Sequence, residues 1–509
     1  MRVLLIQPTF TGRFPEDYGR PAMYEPLGLA YLAAVLRENG HEPVIVDCVA
    51  EAWRVQQRDG DLTRLGMRDE DIALRMRAVA PDVVGISDEF TGFERDCIRL
   101  ASLSKEVLPD VPVLMGGADA TARHEVLIRE KDIDLVVRGE GERTLLNVLE
   151  AYGRDGSLPD DVPGTTTAKQ ANPPTNEIED VDTIPFPARD LLRMETYLED
   201  QTPLMPYAKR FPIGFVISSR GCPYNCIFCS TTKIWQKWRP RSPKNVVDEI
   251  EAIVSEYGIR EIAFQDDSFL VDPERVEGIC DEIVSRKLDI TWSVPPGVSP
   301  NRLNEKLLKK MIRSGFYRAC FPIESGDPEM LQWIRKPLDL DEVREAIALC
   351  HRMGVWTYGN FIIGFPEQTA ESIEQTAEFA VTCGLDMINL YVAQPYAGSD
   401  LYDVYADLGL LDVPGASAST VFHTMYDTKH FTAEELRDKR DEIYRRFMKR
   451  RLLRVISPTG FVQLLRKVNT AGRFAYACRV AATLAKHSFH EGRVALFGSR
   501  ASEDTEAGG

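Results

Sequence analysis

Hydrophobic and polar positions alternate along this chain in a pattern that divides it into four stretches. In the first 155 residues, short β-branched runs occur at residues 3–6, 44–46, 83–86, 113–115 and 135–137. Segments with apolar positions at helical spacing separate them, at 27–37, 69–79, 93–105, 122–130 and 143–152. Short continuous apolar runs predict strands buried on both faces, and the periodic segments between them predict amphipathic helices. Five such units in succession predict a parallel sheet covered by helices on both sides. This is an α/β, flavodoxin-like (Rossmann-type) domain over 1–155.

Residues 156–205 break the pattern. Gly-Thr-Thr-Thr, Asn-Pro-Pro-Thr and Pro-Phe-Pro crowd into a segment without clear periodicity, which reads as a linker wrapping between domains. Alternation resumes over 206–400, with strands expected at 214–218, 261–265, 290–294, 318–323, 356–363 and 387–394. Helices are expected between them at 243–257, 272–286, 304–314, 340–353 and 369–383. Six β/α units make a partial (β/α)6 barrel, with chemistry expected at the C-terminal ends of its strands. Residues 401–509 read as a mostly helical region ending in a polar tail from Ser499 that is expected to lack fixed structure.

Composition adds exclusions. The chain has 509 residues, 44% apolar and 27% charged, which is globular and long enough for two or three domains. No run approaches the ~20 apolar residues of a membrane span, and the opening Met-Arg-Val-Leu-Leu-Ile-Gln-Pro reads as a strand rather than a signal peptide. A soluble cytoplasmic protein is the expectation. A net charge of −17 argues against nucleic-acid binding, which needs clustered cations. Against that background, residues 445–480 carry ten Lys or Arg and no Asp or Glu. The stretch reads either as a solvated helix face against the acidic remainder or as a patch for a membrane surface or an anionic substrate.

The candidate chemistry lies in the cysteines. Seven of the ten (Cys48, Cys97, Cys280, Cys320, Cys350, Cys383 and Cys478) are scattered among apolar residues and are expected to be buried free thiols. The other three, Cys222, Cys226 and Cys229, fall within eight residues on the loop after the first barrel strand, spaced C-x3-C-x2-C. Thiolates are soft ligands for iron–sulfur clusters or zinc. A structural zinc needs a fourth Cys or His, yet none other lies between His124 and Cys280. A cubane cluster on three thiolates instead keeps one iron open to a small-molecule ligand. Gly221 and Pro223 suit a loop wrapped around such a cluster, and Phe228 would shield one side of it.

This motif, after the first strand of a six-unit barrel, resembles the signature of the radical S-adenosylmethionine enzymes. The resemblance implies a [4Fe–4S] cluster on the three cysteines, with S-adenosylmethionine chelating the open iron and releasing a 5′-deoxyadenosyl radical on reduction. It further implies that Phe228 contacts adenine through its backbone, that Gln265, Asp266 and Asp267 end the strand that meets the methionyl amine, and that Glu324 and Ser325 reach the ribose or carboxylate. Ile363 and Gly364, in Phe-Ile-Ile-Gly-Phe-Pro, would lie beside adenine.

A flavodoxin-like domain ahead of the barrel resembles the cobalamin-binding branch of that family. The matching positions are Thr9, Glu25, Leu27, Ser87, Gly116, Gly117, Asp119, Gly139, Glu140 and Gly141, most of them near strand C-termini, where open α/β sheets bind ligands. No D-x-H-x-x-G motif supplies a histidine to cobalt; His41 and His124 lack that context, and Asp119 stands where the branch often has His. Cys-x-Phe-Cys-Ser-Thr-Thr-Lys-Ile-Trp, Gln-Asp-Asp and Ile-Glu-Ser-Gly are most similar to natural-product C-methyltransferases such as the fosfomycin-pathway methylase.

The resemblance thus implies a methyltransferase that places methylcobalamin and a substrate radical together. The substrate would be a small molecule held between the two domains, and the electron donor a flavodoxin or ferredoxin. Trp235, Trp238, Arg239 and Arg241 could line the mouth, and His423, Tyr426 and His430 could contact substrate. Radical oxidation, cyclisation or rearrangement without methyl transfer is the alternative enzyme outcome. A non-enzymatic iron–sulfur or zinc protein is the alternative outside catalysis.

Overall fold

The computed structural model describes residues 1–13, 23–60, 62–175, 177–199, 201–202, 205, 207–235, 237–412, 424–468, 472 and 474–482. His423 and the polar tail lie outside them.

The front sheet contains β1 (Arg2–Gln7), β2 (Glu42–Asp47), β3 (Val83–Ser87), β4 (Val113–Gly116), β5 (Leu135–Val137) and β6 (Thr165–Thr166). They run in the order β2-β1-β3-β4-β5-β6. The first five are parallel, and their order reverses between β1 and β3, as in a flavodoxin-like sheet. Leu5, Leu114 and Leu135 pack toward one helical layer, and Leu4, Ile86 and Val136 toward the other. These strands are therefore apolar at successive positions rather than at alternate ones.

The second sheet contains β7 (Ile213–Val216), β8 (Glu261–Phe264), β9 (Thr291–Ser293), β10 (Phe316–Glu324), β11 (Trp356–Ile363) and β12 (Met387–Val392), all parallel and in sequential order. This is the expected partial barrel. The five long helices between its strands each begin at a residue whose side chain accepts a hydrogen bond from the first turn: Ser242, Asp272, Asn304, Asp339 and Thr369. The outward faces of the strands and the inward faces of these helices form the largest core. Leu27, Tyr31 and Val35 of the Leu27–Glu38 helix pack on Ile213, Phe215 and Ala263, so the first barrel strands dock directly on the front domain.

Four details depart from expectation. The segment 156–205, expected to be a linker wrapping between the domains, also joins the front sheet and core as an ordered belt. Thr165 and Thr166 pair antiparallel with Val137 and Val136, and Val162, Ala188, Leu192, Met194 and Tyr197 enter the front core. Each contact meets a different neighbour, which leaves no period to read. The helix expected over 122–130 is two short turns, Ala118–Ala122 and His124–Leu127, interrupted at Arg123. Phe10–Gly12, Gln56–Asp59 and Leu62–Leu65 form a small antiparallel sheet. Cys478 is exposed, whereas the other six scattered cysteines are buried.

Candidate active site between the two domains

Beyond β7 the chain forms a two-residue antiparallel ladder, Ser219 facing Pro240 and Arg220 facing Arg239, that closes the cysteine loop. Gly221 has φ 80°, and a Cβ there would lie 2.4 Å from the Lys237 carbonyl oxygen, so the closure admits only glycine. The Cys229 amide donates to the Cys226 carbonyl at 3.1 Å. The Ile227 amide donates to the Ile334 carbonyl at 3.1 Å, and its own carbonyl accepts from the Leu401 amide at 2.7 Å. Phe228 stands 6.0 Å from Phe365, which stands 5.9 Å from Trp333. The three loop thiols are half-exposed, unlike the six buried ones, so this donor set is pinned, soft and reachable from solvent. It fits an iron–sulfur cluster. Burial raises the Cys222 thiol and pushes Cys226 up to about 11, so loading iron must displace protons.

At the strand ends the structure divides the expected residues into two groups. Gln265 and Asp267 face an interdomain cavity. Asp266, between them, points into the protein and accepts hydrogen bonds from the Ser218 amide (3.0 Å), the Ser218 hydroxyl (2.7 Å) and the Ser219 hydroxyl (2.5 Å). It fixes the root of the cysteine loop. Glu324 ends β10 with φ 67°, where the register with β11 shifts, and its carboxylate is 3.2 Å from the Lys336 ammonium. Ser325 is fully buried. Its hydroxyl is 3.0 Å from that of Thr376 and accepts from the Asp327 amide at 3.1 Å, so it braces the turn after β10 rather than facing the mouth. The Ile363 side chain is buried in the outer core, which leaves only its main chain for adenine. The Gly364 amide donates to Gln368 at 2.7 Å.

The cavity, about 600 Å³, lies between the domains. Its front-domain wall includes Ser87, Gly116, Gly117, Asp119, Gly139 and Gly141. Its opposite wall includes Arg220, Ser230, Thr231, Trp235 and Asp267. Gly117 has φ 120°, and a Cβ would meet the Asp88 carbonyl oxygen at 2.3 Å. A glycine ledge of this kind at strand C-termini lets a large, flat cofactor approach the backbone, and it fits a corrin.

Glu140 also borders the cavity, but its carboxylate accepts from Arg220 (2.8 Å), Arg239 (2.9 Å) and the Ile178 amide (2.9 Å). Burial alone would raise its pKa; the two arginines outweigh that and hold it below the usual value. Glu142 takes the other branch of Arg220 at 2.5 Å. The Gly-Glu-Gly-Glu motif thus alternates cavity wall and interdomain clamp.

Three expected front-domain positions lie away from the cavity. Thr9 is bonded to Asp96 and Arg99. Glu25 is paired with Arg189 at 2.9 Å, and Arg189 also meets Glu249 at 2.8 Å. Leu27 is interdomain core.

Of the four proposed mouth residues, Trp235 lines the cavity, while Trp238 donates to the Ser268 carbonyl and Arg239 and Arg241 hold buried glutamates. Tyr426 packs against Tyr405, and His430 is exposed beside Phe431. Sequence reasoning missed Tyr31, Glu89, Phe90, Thr91 and Tyr396, which line the cavity. They stand outside the motifs, and the proximity of Tyr396 to the front domain is tertiary. Asp88 is buried without a hydrogen-bond partner for either carboxylate oxygen. Burial, with Asp119 beside it, raises it to about 8.

Residues 20–149 match the B12 binding domain and residues 216–380 the radical SAM superfamily. Over 442 residues the chain is 34% identical to an uncharacterized methyltransferase of Pyrococcus horikoshii, covering 86% of this chain and 90% of that one. The chain belongs to the cobalamin-dependent radical S-adenosylmethionine enzymes.

It is likewise 34% identical to cytidylyl-2-hydroxyethylphosphonate methyltransferase of Streptomyces wedmorensis, over 81% of this chain and 83% of that one. Among solved structures, the methyltransferase TsrM from Kitasatospora setae with cobalamin and a [4Fe–4S] cluster bound superposes with a TM-score of 0.61 at 17% identity, over 80% of this chain and 78% of that one. The enzyme OxsB with cobalamin and S-adenosylmethionine bound gives 0.65 at 14% identity, over 96% and 75%. These likenesses extend the shared fold across both domains. The enzyme is a radical S-adenosylmethionine methyltransferase that uses a [4Fe–4S] cluster, S-adenosylmethionine and cobalamin.

Proposed function

We propose that residues 1–155 hold cobalamin and residues 206–400 hold the cluster and S-adenosylmethionine, so that an unactivated carbon of a small metabolite is methylated in the cavity between them. The observation that carries this reading is the cavity itself, walled by the front-domain glycine ledge and by the cysteine loop. Cys222, Cys226 and Cys229 would ligate the cluster. The main chains of Phe228, Ile363 and Gly364, with the side chains of Gln265, Asp267 and Glu324, would hold S-adenosylmethionine. Gly116, Gly117, Gly139 and Gly141, with Ser87 and Asp119, would hold the corrin.

A C–H bond without acidity resists polar displacement, and when bound these groups supply the electron, the hydrogen-abstracting radical and the methyl group that the reaction needs. The chain's own part is orientation and exclusion of water. The Arg220 guanidinium lies 5.3 Å from the Tyr31 ring and 5.7 Å from the Trp235 ring, bridging the two walls. Lys336 holds Glu324 at the barrel mouth. A reduced flavodoxin or ferredoxin in the cytoplasm would deliver electrons to the exposed loop.

The test is anaerobic reconstitution followed by turnover with methyl-labelled S-adenosylmethionine. Methyl transfer requires 5′-deoxyadenosine and S-adenosylhomocysteine in equal amounts and label in product, and Cys226→Ala should abolish both. Undiminished 5′-deoxyadenosine formation by a folded Cys226→Ala variant would remove the cluster assignment.

A second reading, oxidative cyclisation, draws on 30% identity over 80% of this chain to the anaerobic magnesium-protoporphyrin IX monomethyl ester cyclase of Rubrivivax gelatinosus. It predicts 5′-deoxyadenosine without matching S-adenosylhomocysteine.

A further inference from the structure

The C-terminal helices carry a surface that the catalytic reading does not use. Ala433–Ile456 and Pro458–Lys467 meet at Ser457. The second folds back so tightly that a Cβ on Gly460 would collide with the Arg454 carbonyl. Their inward faces are held by a buried ion cluster. Asp386 takes Arg451 at 2.9 Å and the Lys467 ammonium, which also lies 2.8 Å from His351 Nδ1.

Around their junction, from Leu452 to Leu465, the outward faces are apolar. Of the thirteen large hydrophobic side chains exposed among the described residues, seven lie between Leu452 and Phe474. On the first helix, exposed Arg445, Lys449, Leu452 and Ile456 recur at intervals of three and four, which places them on one stripe. On the second, Phe461, Val462 and Leu465 share the face opposite buried Lys467. Exposed Arg450 and Arg466 flank the stripes. A soluble surface rarely leaves so concentrated an apolar patch without a partner.

Charge selects the partner. Residues 445–480 contain no Asp or Glu in a chain of net charge −17. In a twofold dimer the same patch would face itself, setting cation against cation. An anionic lipid surface complements both the apolar stripe and its cationic flanks. We propose that this face is a peripheral attachment surface for an anionic bilayer, with Leu452, Ile456, Phe461 and Leu465 entering the head-group boundary and Lys449 and Arg450 meeting lipid phosphates.

The fold then orients the enzyme. Asp386 immediately precedes β12, so the patch sits at the N-terminal end of the barrel strands, whereas the cysteine loop and the cavity follow their C-terminal ends. Attachment leaves the catalytic mouth turned toward water. The basic stretch therefore acts on location, away from substrate contact.

The experiment is flotation of the full chain with vesicles of phosphatidylcholine alone and of equal parts phosphatidylcholine and phosphatidylglycerol. Recovery should require phosphatidylglycerol and fall with salt. Lys449→Gln and Arg450→Gln should each weaken partition about fivefold. Ile456→Asp with Phe461→Asp should abolish it, with the circular dichroism spectrum and reductive S-adenosylmethionine cleavage unchanged. Equal recovery on both vesicles, or full recovery of the Gln variants, overturns the proposal. So does a dimer in light scattering that Ile456→Asp splits.

Discussion

Glu140→Ala tests whether the two domains are held in register by charge. The carboxylate accepts three hydrogen bonds, from Arg220, Arg239 and the Ile178 amide. A hydrogen bond to a charged group contributes about 1.5–3 kcal/mol net, so simple addition would give a very large loss. That sum overshoots, because neither arginine is left alone. Arg220 keeps Glu142 at 2.5 Å, and Arg239 keeps Glu177 at 3.4 Å. The expected loss is therefore about 3 kcal/mol, the lower edge for breaking a buried pair. Adding Glu142→Ala strips Arg220 of both carboxylates, and the double variant should lose at least about 1 kcal/mol more than the two single losses combined.

The assay is urea unfolding followed by tryptophan fluorescence, since the Arg220 and Arg239 guanidinium groups lie 5.7 and 5.8 Å from the Trp235 ring. Retention of corrin through gel filtration is the parallel readout. The arginines hold the pKa of Glu140 below its usual 4.5 against the opposing effect of burial. Its contribution is accordingly present above that pH and lost as pH falls through the lower folded value, and Glu140→Ala should lack this acid limb. A loss under about 1 kcal/mol with undiminished corrin retention would refute the clamp.

Further outcomes follow from the same geometry. Asp88 is raised to about 8, so the stability it contributes is full below its unfolded value near 3.8 and declines as pH rises through the folded one; Asp88→Asn should flatten that decline, measured as melting temperature from pH 5 to 9, and a parallel decline in the variant would contradict the assignment. Gly117→Ala forces a side chain against the Asp88 carbonyl at positive φ, and should cost about 1–3 kcal/mol and lower cobalamin retention while iron content holds. Asp266→Ala frees three donors at the root of the cysteine loop, so iron and sulfide per chain should drop after reconstitution while corrin binding persists.

The sequence alone determined the parallel strands of both sheets and the cluster motif. The barrel strands at Glu261–Phe264, Phe316–Glu324 and Trp356–Ile363 are legible because apolar runs, capping residues and spacing are local properties. Cys222, Cys226 and Cys229 are legible as the proposed cluster ligands because all three lie on one loop. Tertiary structure decided which polar residues face the cavity. Asp266 and Asp267 are adjacent in sequence, yet one turns inward to Ser218 and the other faces the cavity, because successive side chains at a strand end point to opposite sides. Glu25, Glu140 and Ser325 read as cofactor contacts from their motifs. Their partners Arg189, Arg239 and Thr376 lie 164, 99 and 51 residues away, and those distant groups fix their roles. The belt over 156–205 was illegible for the same reason: its order comes from neighbours supplied one at a time by the rest of the fold.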